Sequence, residues 1–131
     1  MKCSYFFLIC LWAVCNARSM RTDHIYEHQC IFTQNVTKLI QYIYSKGYKC
    51  TFSETFRTRE QAIINASKGI GIVNSNHCSR LAIDLNLFKN DKYITTGKEW
   101  LQFGEYWERL NSWNEWGGRS KIKDFNHFEM D

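Results

Sequence analysis

An apolar run near the N terminus indicates that the first residues of the chain are not part of the folded domain. Lys2 gives the chain a positive start, and the ten residues Tyr5–Val14 follow without a charged side chain. Small residues then precede a cleavage position after Ala17, which is the pattern of a secretory signal peptide. We therefore predict that residues 1–17 are a signal peptide, or a membrane anchor if they are not cleaved, and that residues 18–131 form a single exported domain.

Composition and charge narrow the class of protein. The 131 residues are 44% hydrophobic and 23% charged, which excludes a disordered chain and suits one compact domain. The formal net charge of +4 is too small to indicate nucleic-acid binding, although it would suit an anionic polymer. Export predicts a periplasmic, envelope or extracellular location, with membrane contact only through residues 1–17. We expect a monomer.

Hydrophobic periodicity predicts helices mixed with short strands. Apolar residues recur at helical spacing from Val36 to Ile43, and Gly47 ends that helix. Thr58 followed by Gln61 forms a capping box that opens a second helix, which runs to about Ser67. The remaining predicted elements are strands at Tyr48–Phe56, Leu81–Phe88 and Phe125–Met130, a helix at Trp100–Leu110, and a loop at Trp113–Gly118. Their order indicates an α+β fold with a small antiparallel sheet and flanking helices.

Three cysteines remain after the predicted cleavage, namely Cys30, Cys50 and Cys78. An odd number leaves at least one free thiol or an intermolecular bond. Pairing of Cys30 with Cys50 is plausible in an oxidising compartment, but spacing does not establish it.

Asp84 lies in a segment where burial of a carboxylate would cost free energy. Asp84 interrupts the apolar strand Leu81–Phe88, and a buried carboxylate must be paired or bound to a metal. His77 precedes it by seven positions, and His127 lies near the C-terminal end of the sequence. Two imidazoles and a carboxylate make a three-ligand zinc site with a fourth position open for water. The alternative from the residues alone is a pair of hydrogen-bonded histidines and a salt-bridged acid.

Two segments resemble the signatures of a family of zinc peptidases that act on peptidoglycan. Ser75–Asp84 is similar to the pattern S-x-H-x-x-G-x-A-x-D, and Asp124–His127 is similar to an acid placed three residues before the last histidine ligand. The family comprises D-alanyl-D-alanine carboxypeptidases and L-alanyl-D-glutamate endopeptidases, including phage endolysins. Further similarities extend the resemblance over Phe32–Asp131: Phe56-Arg57-Thr58 with Gln61, Gly104–Trp107, and Trp116–Gly118.

The resemblance implies a ligand set and a reaction. His77, Asp84 and His127 would bind zinc, and Asp124 would be the general base that activates water. Arg57 would stabilise the substrate carbonyl oxygen as it gains charge, or hold a substrate carboxylate.

Other positions have supporting roles or depart from the pattern. Ser75 and Gln61 would contact the substrate or the ligands. Glu129 competes with Asp124 as the base, but strand alternation places it on the face of His127, where it could orient that ring instead. Arg80 replaces the usual glycine, and a long cation there could crowd the substrate groove or contact the wall polymer.

Three features could mislead. His24-Ile25-Tyr26-Glu27-His28 spells the inverted zinc-protease motif H-x-x-E-H, but it follows the predicted cleavage position too closely for a supporting fold. Cys78 is next to a proposed ligand, yet adjacent residues of an extended chain point apart. The tryptophans could stack on sugars, although burial in the core is their commoner fate: Trp100, Trp107, Trp113 and Trp116.

Together these observations predict a zinc metallopeptidase that cleaves peptidoglycan stem peptides. We favour an L-Ala-D-Glu endopeptidase over a D-Ala-D-Ala carboxypeptidase, because the compact arrangement resembles lysis enzymes. A catalytically inactive wall-binding module and a small membrane-anchored structural protein are the alternatives from other classes.

Overall fold

The computed structural model describes the backbone of residues 5–131 and the side chains from His24 onward. The side chains of the predicted signal segment, residues 1–17, therefore lie outside the described part. Among the described residues, no helix has the length and apolar character needed to span a membrane. The elements, in chain order, are α1 Tyr5–Ser45, β1 Lys49–Phe52, α2 Arg59–Ser67, a 3₁₀ helix Asn76–Ser79, β2 Ala82–Lys89, β3 Lys92–Tyr93, α3 Gly97–Leu110, β4 Asn114–Trp116, a 3₁₀ helix Gly117–Arg119 and β5 His127–Met130.

The strands form one antiparallel sheet in the order β1-β2-β5-β4, with β3 paired to β2 as a hairpin. The long strand β2 is central, because β5 pairs with its first half and β1 with its second half. Asn90 and Asp91 form the tight β2–β3 turn, and both have positive φ. The predicted α+β fold with a small antiparallel sheet and flanking helices is confirmed.

The core lies on one face of this sheet, under α1 and α3. Alternate residues of β2 point into it, as do Phe128 and Met130 of β5, all of which are nearly inaccessible to solvent. The side chains between them, including those of Asp84 and His127, therefore point to the opposite, uncovered face. The main core side chains from the helices are Phe32, Val36, Leu39 and Ile43 of α1, and Trp100, Phe103 and Trp107 of α3.

A close helix–strand contact fixes α3 against β4. Gly104 lies directly on the indole of Trp116, and a Cβ at this position would come within 2.0 Å of the ring. The Trp107 indole nitrogen donates to the carbonyl oxygens of Glu115 and Glu129, each at 3.1 Å. Gly104 therefore allows α3 to pack closely on β4, and Trp107 links α3 to both β4 and β5.

Most predicted elements are present, with three corrections. The segment predicted as the loop Trp113–Gly118 contains β4, which forms because Asn114–Trp116 pairs with β5. The strand predicted at Tyr48–Phe56 ends at Phe52, since the chain then turns toward α2. Cys30 and Cys50 are not bonded to each other, and Cys78 is also a free thiol.

Candidate active site

Strand register brings two of the predicted ligands together. Asp84 of β2 lies directly opposite His127 of β5 in the antiparallel pairing. Paired residues of neighbouring strands have their side chains on the same face, so both point away from the core. The Nδ1 atom of His127 lies 2.8 Å from Oδ1 of Asp84.

The third predicted ligand comes from the 3₁₀ helix that leads into β2. His77 is 2% exposed, and its Nε2 atom lies 3.4 Å from Oδ1 of Asp84. The same turn is held to the chain before α2, because the backbone nitrogen of Arg57 donates to the His77 carbonyl oxygen. Nδ1 of His77 is buried and has no hydrogen-bond partner within the described part of the chain.

His77, Asp84 and His127 form a compact donor cluster. Each offers one ligand atom, and these atoms lie within 4.8 Å of one another. In a tetrahedral zinc site with bonds of about 2.0–2.2 Å, ligand atoms are roughly 3.3 Å apart. The two separations to Asp84, 2.8 and 3.4 Å, are close to this spacing, and the donors are those of a zinc site with three protein ligands.

Electrostatics in the cluster stabilise its charged forms. Burial acts to raise the pKa of Asp84, but the hydrogen bonds from His127 and His77 outweigh it and lower the pKa to about 2. Burial acts to lower the pKa of His127, but its hydrogen bonds to Asp84 and Glu129 raise the pKa to about 10. Without a metal, the His127 ring is therefore protonated and lies as a cation between the carboxylates of Asp84 and Glu129.

Glu129 contacts the ligand ring rather than standing apart as a second base. Its Oε2 atom lies 3.2 Å from Nε2 of His127, and the pKa of Glu129 is lowered chiefly by this hydrogen bond. Asn76 donates to the same carboxylate oxygen at 3.0 Å. The predicted alternation along β5 therefore places Glu129 where it can orient His127.

The cluster lies in an open cavity of about 440 Å³ that Asp124 also lines. Burial, and next the negative charge of Asp84, raise the pKa of the Asp124 carboxyl. A carboxylate with a raised pKa accepts protons more readily at neutral pH than an ordinary surface acid. Exposed isoleucines stand at the mouth of the same cavity: Ile70, Ile72 and Ile122.

Arg57 also reaches the cavity, but its guanidinium is already engaged. Nε donates to Oε1 of Glu54 at 2.9 Å, and Nη2 makes a second, short bond to Oε2 of the same carboxylate. Nη1 lies 3.3 Å from the hydroxyl of Ser75. The hydrogen bond to Glu54 raises the pKa of Arg57, so the cation is permanent.

Two positions that were predicted to act at or near the groove lie away from it. Gln61 is exposed on α2, where its backbone nitrogen is capped by Thr58 and its side chain donates to Asn65, so it does not line the cavity. Arg80 has a left-handed backbone, φ 56°, and its guanidinium lies 4.3 Å from the centre of the Phe56 ring. Arg80 therefore does not crowd the cavity.

The H-x-x-E-H segment, Cys78 and the tryptophans lie outside the donor cluster. His24 and Glu27 form an exposed pair on α1, and His28 packs against the Trp113 ring. In the region whose side chains are described, neither they nor Cys78 join a metal-binding cluster. Three of the four tryptophans considered as sugar platforms are buried, and only Trp113 is exposed: Trp100, Trp107 and Trp116 are in the core.

Residues 68–130 match the sequence family described as D-alanyl-D-alanine carboxypeptidase. The matched segment contains the whole donor cluster and Asp124. The match covers just under half of the chain, and over that segment the chain is similar to this peptidase family. The family resemblance predicted from the sequence is confirmed, while Arg57 and Gln61 lie before the matched segment.

Two solved structures share the fold of this chain. The L-Ala D-Glu endopeptidase ChiX of Serratia marcescens is 20% identical, with a TM-score of 0.56 over 63% of this chain and 67% of that one. A variant of the vancomycin resistance D,D-pentapeptidase VanY from the VanB-type cassette, in complex with Zn(II), is 13% identical, with a TM-score of 0.53 over 76% of this chain and 70% of that one. No curated protein matches the sequence.

Sequence reasoning missed three residues near the donor cluster: Glu54, Asn76 and Asp131. Glu54 holds Arg57, and Asn76 donates both to Glu129 and, at 2.9 Å, to Asp131. Glu54 lies just before the aromatic-Arg-Thr segment, three residues from its partner. A Glu–Arg pair at this spacing was a local signal that could have been noticed.

Proposed function

We propose that this protein is a zinc peptidase that hydrolyses a peptide bond in the stem peptide of peptidoglycan, outside the cytoplasm. The observation that carries the proposal is the convergence of His77, Asp84 and His127 in a cavity that Asp124 lines. A buried ion pair alone would not need two imidazoles and a further half-buried acid in the same open cavity.

The cluster would hold zinc through its two histidines and Asp84. When bound, zinc lowers the pKa of a water ligand to about 7 and polarises a carbonyl group. Asp84 carries the negative charge that stabilises the cation, and Glu129 accepts a hydrogen bond from the outer nitrogen of His127. This second contact fixes the tautomer of His127, so that Nδ1 faces the cluster.

Asp124 and Arg57 supply the groups that act on the substrate. Asp124 takes a proton on its carboxylate as water attacks, and it then passes that proton to the departing amine. The guanidinium N–H groups of Arg57 that are not used by Glu54 or Ser75 can donate to the carbonyl oxygen as it gains negative charge.

The bond that we propose is the one between L-Ala and D-Glu. D-Ala-D-Ala carboxypeptidase activity is the second candidate, and it is favoured by the family description for residues 68–130. A non-catalytic wall-binding module is less consistent with the cavity, because such a module needs neither the donor cluster nor Asp124 beside it.

Digestion of purified peptidoglycan by the zinc-loaded protein tests this function. We expect fragments with a new N-terminal D-Glu, identified by mass analysis, and release of these fragments about 10²–10⁴-fold more slowly by the Asp124→Asn variant. Release of free D-Ala alone would establish the carboxypeptidase instead. Binding to peptidoglycan without any cleavage would contradict the proposed enzyme and support the wall-binding module.

A further inference from the structure

The charge of the cavity is unevenly distributed. Its lining residues include four carboxylates, those of Asp84, Asp124, Glu129 and Asp131, and Arg57 is the one arginine or lysine among them. Any anionic group of a substrate must therefore rely on Arg57 or on the metal for a counter-charge.

Glu54 already provides the counter-charge to Arg57. It accepts from both Nε and Nη2, which is the bidentate geometry that a substrate carboxylate would otherwise use. The Arg57 side chain is 14% exposed and that of Glu54 is 31% exposed, so the pair is partly shielded from solvent. Breaking it to bind another carboxylate would leave Glu54 without its partner.

The pair is also anchored by the backbone. The Asp84 nitrogen donates to the Glu54 carbonyl oxygen at 2.8 Å, and the Ser53 nitrogen donates to the Asp84 carbonyl oxygen at the same distance. Glu54 thus extends the β1–β2 pairing beside the donor cluster, and its Oε2 atom lies 3.9 Å from Nε2 of His77. Because these bonds fix its backbone, Glu54 can leave Arg57 only by a rotation of its side chain, which breaks both hydrogen bonds to the guanidinium.

This arrangement bears on a chemical difference between stem peptides. D-Glu is joined to the next residue through its γ-carboxyl, so its α-carboxyl stands free beside the L-Ala-D-Glu bond. That group exists either as a carboxylate or as a neutral carboxamide. We propose that Glu54, by occupying Arg57, makes the cavity select stem peptides in which this group is the carboxamide.

The inference rests on the proposed function and deepens it by naming the substrate. Glu54 is a positioning residue, since it acts through Arg57. The remaining guanidinium N–H groups can still donate to a neutral carbonyl oxygen, and a carboxamide brings no charge that requires a counter-ion. The carboxylate form would instead add a negative charge beside those of Asp124, Glu129 and Asp131, in a cavity whose arginine is already paired.

A matched pair of synthetic peptides tests this selectivity. Both contain L-Ala-γ-D-Glu followed by a diamino acid, and they differ only in an α-carboxylate or an α-carboxamide on D-Glu. For the zinc-loaded wild type we expect kcat/KM to be about tenfold higher for the carboxamide, as the loss of one charge-assisted contact implies. In Glu54→Gln, Arg57 is released, and the ratio should move by about tenfold or more toward the carboxylate.

Two further variants separate this effect from damage to the fold. Glu54→Asp keeps the carboxylate and should retain the preference for the carboxamide. Glu60→Gln removes an exposed charge from α2 and should leave both rates unchanged. A purely structural role for Glu54 would lower both rates of Glu54→Gln in proportion and leave their ratio constant.

The outcomes distinguish this inference from the function on which it rests. Cleavage of both peptides with a wild-type preference for the carboxylate would overturn the inference and leave the peptidase intact, whether or not Glu54→Gln folds. An unchanged ratio in a folded Glu54→Gln variant would do the same. If the wild type cleaves neither peptide, the L-Ala-D-Glu endopeptidase itself is contradicted, and the inference fails with it.

Discussion

Asp124 and Asp84 are both acids of the same cavity, but their surroundings give them different chemistry. Asp84 accepts from two imidazoles, and its pKa falls to about 2. Asp124 has no such side-chain bonds within the described residues, and burial together with the charge of Asp84 raises its pKa. One acid is therefore suited to hold a cation and the other to exchange a proton.

This difference predicts the effects of two conservative substitutions. Asp124→Asn removes the proton acceptor without changing size, so hydrolysis should fall by about 10²–10⁴-fold while the protein keeps one zinc per chain. Asp84→Asn should instead weaken zinc binding, because a neutral amide is a poorer ligand than a carboxylate. Elemental analysis and peptide hydrolysis are measured on the same preparations.

Glu129→Gln is the control for this pair of substitutions. Since Glu129 bonds to His127, its loss should reduce zinc affinity rather than abolish proton transfer. Normal hydrolysis by Asp124→Asn, with an inactive but zinc-loaded Glu129→Gln, would show that Glu129 is the base.

Arg80 combines a backbone strain with a side-chain contact. Its left-handed conformation costs a residue with a Cβ about 1 kcal/mol, whereas its cation–π contact with Phe56 stabilises the fold by about 0.5–1 kcal/mol. Arg80→Gly loses the contact with Phe56 and relieves the backbone strain. Arg80→Ala loses the same contact but keeps the strain. We expect urea unfolding to find the glycine variant more stable than the alanine variant by about 1 kcal/mol. Equal stability would contradict the strain.

At the level of elements, the alternating pattern of β2 and β5 carried most of the information about the site. The prediction that Glu129 shares a face with His127 needed only the two-residue period of a strand, and the contact between them agrees with it. The predicted cap of α2 is also present, because Thr58 accepts from the Gln61 nitrogen. β4 was missed, because three residues carry too little periodicity to be recognised without their partner strand.

The contact between α3 and β4 predicts a change in stability for Gly104→Ala that is opposite in sign to the change expected from helix propensity. In an open helix, Gly→Ala stabilises by about 1 kcal/mol. At Gly104 the new methyl group would meet the buried Trp116 ring, so Gly104→Ala should instead destabilise the fold by about 1–3 kcal/mol in urea unfolding. Arg109→Ala, an exposed change on the same helix, should stay within about 0.5 kcal/mol of the wild type. A stabilised Gly104→Ala would show that α3 does not rest on Trp116.

For the whole molecule, the core and the donor cluster lie on opposite faces of the sheet. The fold should therefore survive removal of zinc, but it should be less stable, because the metal binds only the folded arrangement of His77, Asp84 and His127. At free zinc of about 100 times Kd, we expect thermal unfolding to shift upward by roughly 10 °C relative to chelator-treated protein. The shift should vanish in His127→Ala and persist in His24→Ala. A shift that depended on His24 would instead assign the metal to the H-x-x-E-H segment.

The sequence by itself determined the elements and residues whose signals are local. Strand alternation and the helix cap can be read within short segments, and they led to the α+β fold. The two segments Ser75–Asp84 and Asp124–His127 are also short, and their resemblance to zinc-peptidase signatures led to the donor cluster. Only the tertiary structure decided which separate segments meet. It paired Glu54 with Arg57 beside Asp84, left Gln61 on the surface, and placed Arg80 against Phe56 instead of in the cavity. Those outcomes depend on strand order and on where loops cross, and such long-range contacts leave no periodic pattern in the chain.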